Sequence, residues 1–337
     1  MKIELPLAGA LFAVAAAAVV YTSFTLPPVL STQNGWRGTA MVQVELPAHR
    51  KALQAANVVP EAQPAAELAN EKSSAAYENV QVLGDVDSAE FLRIMTAITE
   101  WVSPEQGCTY CHAEGESLAS DALYTKVVAR RMLQMTLKIN AGWKPHVAET
   151  GVTCYTCHRG MPVLAQVWFK EAPPPEPAYA GNRDRQNLPL PVVGDSSLPH
   201  DIFEPYLSKE TPIRVAGVKA LRTGPNPSIQ STEGTYGLMM HLSQGLGVNC
   251  TFCHNTQNFA DWANSTPQRV TAWHGIRMAR EINNEYIDTL AGVFPANRKG
   301  PMGDVAKVNC ATCHQGVNKP LYGVSLVADY LALRTGK

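Results

Sequence analysis

The chain has 337 residues, enough for two ordinary domains, of which 45% are hydrophobic and only 17% charged. Its formal net charge of −1 provides no basic face for a polyanion and removes nucleic acid from consideration. So little charge suits a chain packed around bulky apolar groups.

In chain order, no charge separates Glu4 from Arg37, and residues 7–26 (LAGALFAVAAAAVVYTSFTL) form an uncharged apolar stretch. About 20 such residues span a bilayer as a helix, and Pro27 and Pro28 would stop it. Its length favours a retained anchor over a cleavable export signal, although AVAAAA contains small residues suited to cleavage. Either way the body is exported. Residues 46–80, rich in Ala, Glu and Gln, read as surface connection. Residues 88–103 (SAEFLRIMTAITEWVS) place apolar side chains at 91, 94, 95, 98, 101 and 102, a helical stripe. Asp87 and Glu90 suggest a capping box at its start.

Two further segments, ARRMLQMTLKIN (129–140) and GIRMAREINNEY (275–286), resemble each other. Each has an Arg-Met step and an Asn near its end, which points to an ancient duplication in which Met278 aligns with Met132. Between them, APPPEPAYAG and NLPLPVVGDSSLP read as an extended, proline-rich connector. The expected division is 1–30 for anchor or signal, 31–160 for a first half, 161–212 for the connector and 213–337 for a second half.

All eight cysteines fall in four runs of one kind: Cys108, Cys111 and His112; Cys154, Cys157 and His158; Cys250, Cys253 and His254; Cys310, Cys313 and His314. This spacing reads as covalent attachment of haem c, the two thiols forming thioethers and the histidine standing under the iron. Zinc sites or disulfides also use paired cysteines. Neither explains a histidine after every second cysteine, four times over with no cysteine left. The expected cofactors are therefore four covalently bound haems c.

A six-coordinate haem takes a second axial ligand, and a methionine there raises the potential. Met95 lies on the helical stripe ahead of Cys108. Met132 and Met135 share one helix face, and TYGLMMHLSQ offers Met239, Met240 and His241 ahead of Cys250. A helical methionine is more often core, but its recurrence ahead of three of four motifs favours ligation. The fourth motif has Met278 and Met302 before it, neither in the same position. His146 follows Pro145, which should end the preceding helix and leave His146 on a loop; a lone histidine is otherwise a packed or surface residue. His49, His200, His241 and His274 receive no role.

The stretches MTAITEWVSPEQGCTYCH, ARRMLQMTLKIN, GVTCYTCHRG, NCTFCHNTQNFADW, STPQR, GIRMAREINNEY and NCATCHQG resemble the tetrahaem cytochrome c subunit of photosynthetic reaction centres of purple bacteria. The similarity runs from about residue 30 to about residue 325 and includes the residues between the haem motifs. The fold class expected is mainly α with extensive coil: a multihaem cytochrome c of two pseudo-two-fold-related dihaem halves, plus an N-terminal transmembrane helix. The resemblance implies Met95, Met132 and Met239 as sixth ligands of the first three haems. It implies His146, from the other half, as the sixth ligand of the fourth; internal symmetry offers Met278 instead. Some family members carry an N-terminal cysteine for a lipid anchor. This chain has none, so its apolar helix or its partners must hold it.

Four six-coordinate irons leave no open position for a substrate, so the chain should carry electrons rather than act as an enzyme. The resemblance implies a near-linear row of haems on the periplasmic face of the photosynthetic inner membrane. Electrons would pass from a soluble donor, a cytochrome c or a high-potential iron–sulfur protein, to the photo-oxidised bacteriochlorophyll special pair in the core subunits. Glu100, Glu105, Glu114, Glu116 and Asp121 surround the first motif with no Lys or Arg before Lys126. They could steer a basic donor or be simply a solvated face. Arg269 in STPQR matches a family arginine between the third haem and the special pair. The alternative is a membrane-anchored tetrahaem quinol dehydrogenase, but that would want mostly histidine sixth ligands, and five non-proximal histidines are all that remain.

Overall fold

The structure is a computed structural model of the chain, described over residues 4–24, 28–171, 191–199, 201–215 and 228–336. It is mainly helical with extensive coil and two small two-stranded sheets. In chain order the elements are α1 (Glu4–Phe24), β1 (Leu30–Gln33), β2 (Val42–Glu45), α2 (Pro47–Ala56), α3 (Ser73–Ala76), α4 (Ser88–Val102), α5 (Tyr124–Gly142), α6 (Lys144–Val147), α7 (Cys154–His158) and β3 (Val167–Trp168). They continue with α8 (Ile229–Leu246), α9 (Pro267–Glu281), β4 (Lys307–Val308), α10 (Cys310–His314) and α11 (Ala332–Thr335).

Helix α1 leaves Leu7, Leu11, Phe12, Val14, Val19, Val20 and Tyr21 exposed. Among the described residues, however, no helix is long and apolar enough to cross a membrane, so the expected transmembrane helix is not met there.

Helix α4 starts where Asp87 accepts the Ala89 N–H at 3.0 Å. The expected reciprocal box is not closed, because Glu90 instead pairs with Arg93 at 2.9 Å. The stripe splits between two faces. Ile94, Ala97 and Trp101 are buried in a core cluster, while Phe91, Met95, Ile98 and Val102 face a cavity. Helix α8 is capped by Ser228 and stopped by Gly247 in the left-handed region. Helix α9 carries Pro267 in its first turn and runs on into a π-helical stretch, Ile282–Ile287.

Packing crosses the expected boundary in both directions. The C-terminal segment enters the first half: Tyr330 meets Trp101 edge-on at 4.8 Å, and Val327 and Leu333 join its core. The N-terminal hairpin β1–β2 lies against the third motif, where Met41 N donates to Thr251 Oγ1 and Asn249 donates to Met41 O. The stretch APPPEPAYAG and His200 lie outside the described residues. The described part of the second stretch, from Pro191 onward, is not simply extended connector. Val193, Ile202 and Leu207 are fully buried against α8, because Gly237 leaves room for the Ile202 side chain.

Candidate functional site

The four motifs fold in two ways. The second and fourth form the one-turn helices α7 and α10, each opened by a capping box, Thr153 with Thr156 and Asn309 with Thr312. The first and third are tighter 3-10 turns, in which Cys111 N and Cys253 N donate to Cys108 O and Cys250 O. After α7 and α10 the chain turns through left-handed Arg159 and Gln315 to a glycine. Gly160 N then donates to Trp101 O, and Gly316 N to Gly245 O, both at 2.8 Å. Trp101 lies six residues after Met95, and Gly245 six after Met239, so the two methionines occupy equivalent positions.

Every motif histidine makes the same hydrogen bond. Its Nδ1 lies 3.0 Å from Leu118 O for His112, 2.8 Å from Met161 O for His158, 2.9 Å from Phe259 O for His254 and 3.0 Å from Val317 O for His314. A carbonyl only accepts, so each Nδ1 carries the proton and each Nε2 presents its lone pair. That is the orientation in which a second-shell carbonyl holds a metal-ligating imidazole. Burial lowers the pKa of all four, that of His314 to about 4, and so keeps them neutral near pH 7.

A continuous cavity of about 1210 Å³ reaches all four motifs. Met95, Met132, Met135 and Met278 line it, as does His146. Met239 does not, although Leu242 and Leu246 on the same face of α8 do. The third motif contributes Cys253, while Cys250 and His254 lie outside the lining.

His146 is a fifth imidazole of the same kind. It sits not on a loop but in α6, a single turn with Pro145 in its opening positions, where proline's missing N–H costs nothing. Its Nδ1 bonds Thr271 O on α9 at 2.9 Å, and burial depresses its pKa. Its ring centre is 6.0 Å from that of His314, at 68°. Two imidazoles on opposite sides of one metal ion, at about 2 Å per bond, put their ring centres roughly 6 Å apart. At the first, second and fourth motifs the residues therefore fit haem iron: neutral Nε2 donors and paired cysteines converge on one apolar space, with Met95, Met132 and His146 lining it.

A family profile described as the photosynthetic reaction centre cytochrome C subunit matches residues 25–334. The chain belongs to this family. It is 51% identical over 320 residues to the photosynthetic reaction center cytochrome c subunit of Rubrivivax gelatinosus, covering 94% of this chain and 87% of that one. It is 49% identical to that of Thermochromatium tepidum, covering 91% and 76% respectively. A cytochrome c-554 of Chloroflexus aurantiacus is similar at 27% identity over 73% of this chain and 70% of that one. The chain is thus an electron-transfer subunit of a photosynthetic reaction centre and not an enzyme. It carries covalently bound haem c and associates with the reaction-centre core at the periplasmic side of the membrane.

The second cysteines of the second and fourth motifs come together. Cys157 and Cys313 are joined by a disulfide, and the other six are free. A sulfur in a disulfide has no bond left for a thioether, so attachment at these positions requires the dithiol form. The cause is the packing of α7 on α10. Arg159, just after His158, donates to Cys313 O, and Gln315, just after His314, donates to Cys157 O, both at 3.3 Å. Burial pushes the thiols of Cys154 and Cys310 up to about 12.

The asparagines near the ends of the two similar segments have a role that the sequence does not assign them. Buried Asn140 bonds Val152 through both its amide oxygen and its nitrogen, two residues before Cys154; Asn283 does the same to Val308, two before Cys310. Their place near the end of both similar segments was the available signal. These clamps equate Asn140 with Asn283, so Met278 corresponds to Met135 and not, as the Arg-Met alignment suggests, to Met132.

Glu100, Glu105, Glu114 and Glu116 are exposed around the first motif. Asp121 differs: Arg130 at 2.8 Å and Lys126 at 3.5 Å hold its carboxyl well below the usual range and offset its charge. Arg269, half-buried, donates to Asp261 O and Ser265 Oγ and lies 4.1 Å above the Trp262 ring. Of the histidines given no role, His49 is exposed, His274 packs against Trp273, and His241 is buried against Phe203.

Proposed function

We propose that the subunit holds four haems, one at each Cys-x-x-Cys-His motif, and relays electrons from a soluble periplasmic donor to the photo-oxidised bacteriochlorophyll pair of the core. The observation that carries this reading is the shared Nδ1–carbonyl bond of His112, His158, His254, His314 and His146. Each bound haem supplies reversible one-electron exchange at its iron. The chain supplies the rest. The four motif histidines present neutral Nε2 atoms as proximal ligands, and the eight motif cysteines tether the porphyrins. Met95, Met132 and Met239 supply thioether sulfurs to the first three irons, and His146 supplies an imidazole to the fourth. A sulfur ligand favours the reduced iron and raises its potential, so the His/His site is the low one on ligand grounds.

Contacts of α4 with α7, of α7 with α10 and of α10 with α8 support a row in the order first, second, fourth, third motif. The reciprocal Arg159 and Gln315 bonds support two dihaem halves about a local two-fold axis. The exposed carboxylates Glu100, Glu105, Glu114 and Glu116 would receive a basic donor, a cytochrome c or a high-potential iron–sulfur protein. At the other end Arg269 places a fixed positive charge beside the third site, facing the core. The exposed apolar side chains of α1 are the membrane-contacting surface.

Flash spectroscopy on membranes holding this subunit tests the reading. Haem oxidation within the recovery time of the bleached bacteriochlorophyll pair is expected. Haems silent to light but reducible by quinol would overturn it in favour of a quinol dehydrogenase.

A further inference from the structure

Helices α5 and α9 can be superposed by their own landmarks. Tyr124 opens α5 and Pro267 opens α9. Sixteen residues on in each, Asn140 and Asn283 clamp the backbone just ahead of the following motif. In that register the residue eight positions into α5 is Met132, and the residue eight positions into α9 is Gly275. The two helices thus differ at the position from which Met132 enters the cavity, on the proposed assignment towards the second haem.

The space left by the missing side chain is taken by His146. A Cβ placed on Gly275 would lie 2.5 Å from His146 Cε1, 2.8 Å from Nδ1 and 3.1 Å from Nε2. All three are ring atoms, and the first two distances are shorter than any van der Waals contact permits. Thr271, whose carbonyl holds the ring, lies one turn before Gly275 on the same face of α9. Both residues line the cavity, as does Met278 one turn further on. The ring could move away from a Cβ only by giving up the Thr271 bond and its spacing from His314.

We infer that Gly275 selects the axial ligand of the fourth haem: it vacates the methionine position so that His146 fills it, turning a Met/His site into a His/His site. This rests on the assignment of His146 to that haem. Gly275 is a positioning residue and touches no iron itself. Met278 sits at the equivalent of Met135 and is not the alternative ligand.

The test uses the full-length, haem-loaded subunit in its reaction-centre complex, with electron paramagnetic resonance and redox titration of each haem. Gly275→Ala is expected to abolish the bis-imidazole signal of one haem and leave the other three unchanged. The double variant Gly275→Met, His146→Ala is expected to restore six-coordination with the near-infrared charge-transfer band of sulfur ligation and a higher potential. Met278→Leu is expected to change neither the signal nor the ligand set. If Gly275→Ala keeps the bis-imidazole signal while His146→Ala removes it, the selector role is wrong and the ligand assignment stands. If His146→Ala leaves all four haems as they were, the assignment itself fails and the inference falls with it. Should Gly275→Ala not mature, a double variant that matures without the sulfur band would overturn the inference equally.

Discussion

The ring of His146 lies 6.0 Å from the ring of His314, although one belongs to the first half and the other to the last motif. Nothing local holds them together; the bond from His146 Nδ1 to Thr271 O does. If these imidazoles share an iron, His146→Ala should open one coordination position. Carbon monoxide added to the reduced wild-type subunit should then bind negligibly, whereas the variant should take up about one equivalent per chain, read from the Soret difference spectrum. Equal uptake by both proteins would refute the pairing.

The asparagine clamps are structural. Asn140 and Asn283 are 3% and 0% exposed; besides the residue ahead of its motif, Val152 or Val308, each bonds a carbonyl of a distant segment, Leu333 O or Leu207 O. Replacing either by alanine leaves buried donors and acceptors without partners, at about 1–3 kcal/mol per group. Each substitution is expected to lower the urea midpoint by an amount corresponding to roughly 2–4 kcal/mol and to reduce haem occupancy at the motif it clamps. A change below about 0.5 kcal/mol would show that the clamps are dispensable.

His241 supplies an acid sensitivity separate from the haem sites. Burial against Phe203 lowers its pKa from 6.5 to about 4, and its Nε2 has no hydrogen-bond partner among the described residues. The folded state therefore binds its proton less tightly than the unfolded chain does. The stability this represents is complete above about pH 6.5 and is lost as pH falls towards 4, in total roughly 3 kcal/mol. Denaturant unfolding of His241→Phe should lose less stability between pH 7 and pH 5 than the wild type does. Parallel pH profiles would remove His241 as the cause.

The disulfide predicts a thiol count. Unmatured chain, denatured and alkylated without reductant, should label at six cysteines, and at all eight after reduction. Matured subunit should label at none, since each motif sulfur would then be a thioether. Mass spectrometry of the alkylated chain decides this, and any residual thiol after maturation would mark an unloaded motif.

The acidic end separates by substitution. Glu116→Lys should slow reduction by a basic soluble donor several-fold at low ionic strength, with the difference fading as salt screens it. Asp121→Asn should slow it much less, because Arg130 and Lys126 already offset that carboxylate. Stopped-flow reduction at two salt concentrations distinguishes them; equal effects would mean that the ion pairs do not hold Asp121 in solution.

Much of the site is local and was legible in the chain. Cys-x-x-Cys-His is a chemical unit within five residues, so its cofactor chemistry needs no fold to be recognised. The period of residues 88–103 placed Met95 on a helix face because side chains three and four apart must share one. Tertiary structure alone decided which distant groups meet. It brought Cys157 to Cys313, laid the C-terminal segment on the first half and the N-terminal hairpin on the third motif, and set Thr271 O beneath the His146 ring. It also settled the register of the repeat: the Arg-Met step equates Met278 with Met132, whereas the hydrogen bonds of Asn140 and Asn283 equate Met132 with Gly275. Sequence similarity weighs each identity equally, but a backbone clamp constrains only the residue that makes it. That is why the empty position on α9, and the imidazole that fills it, become visible only in three dimensions.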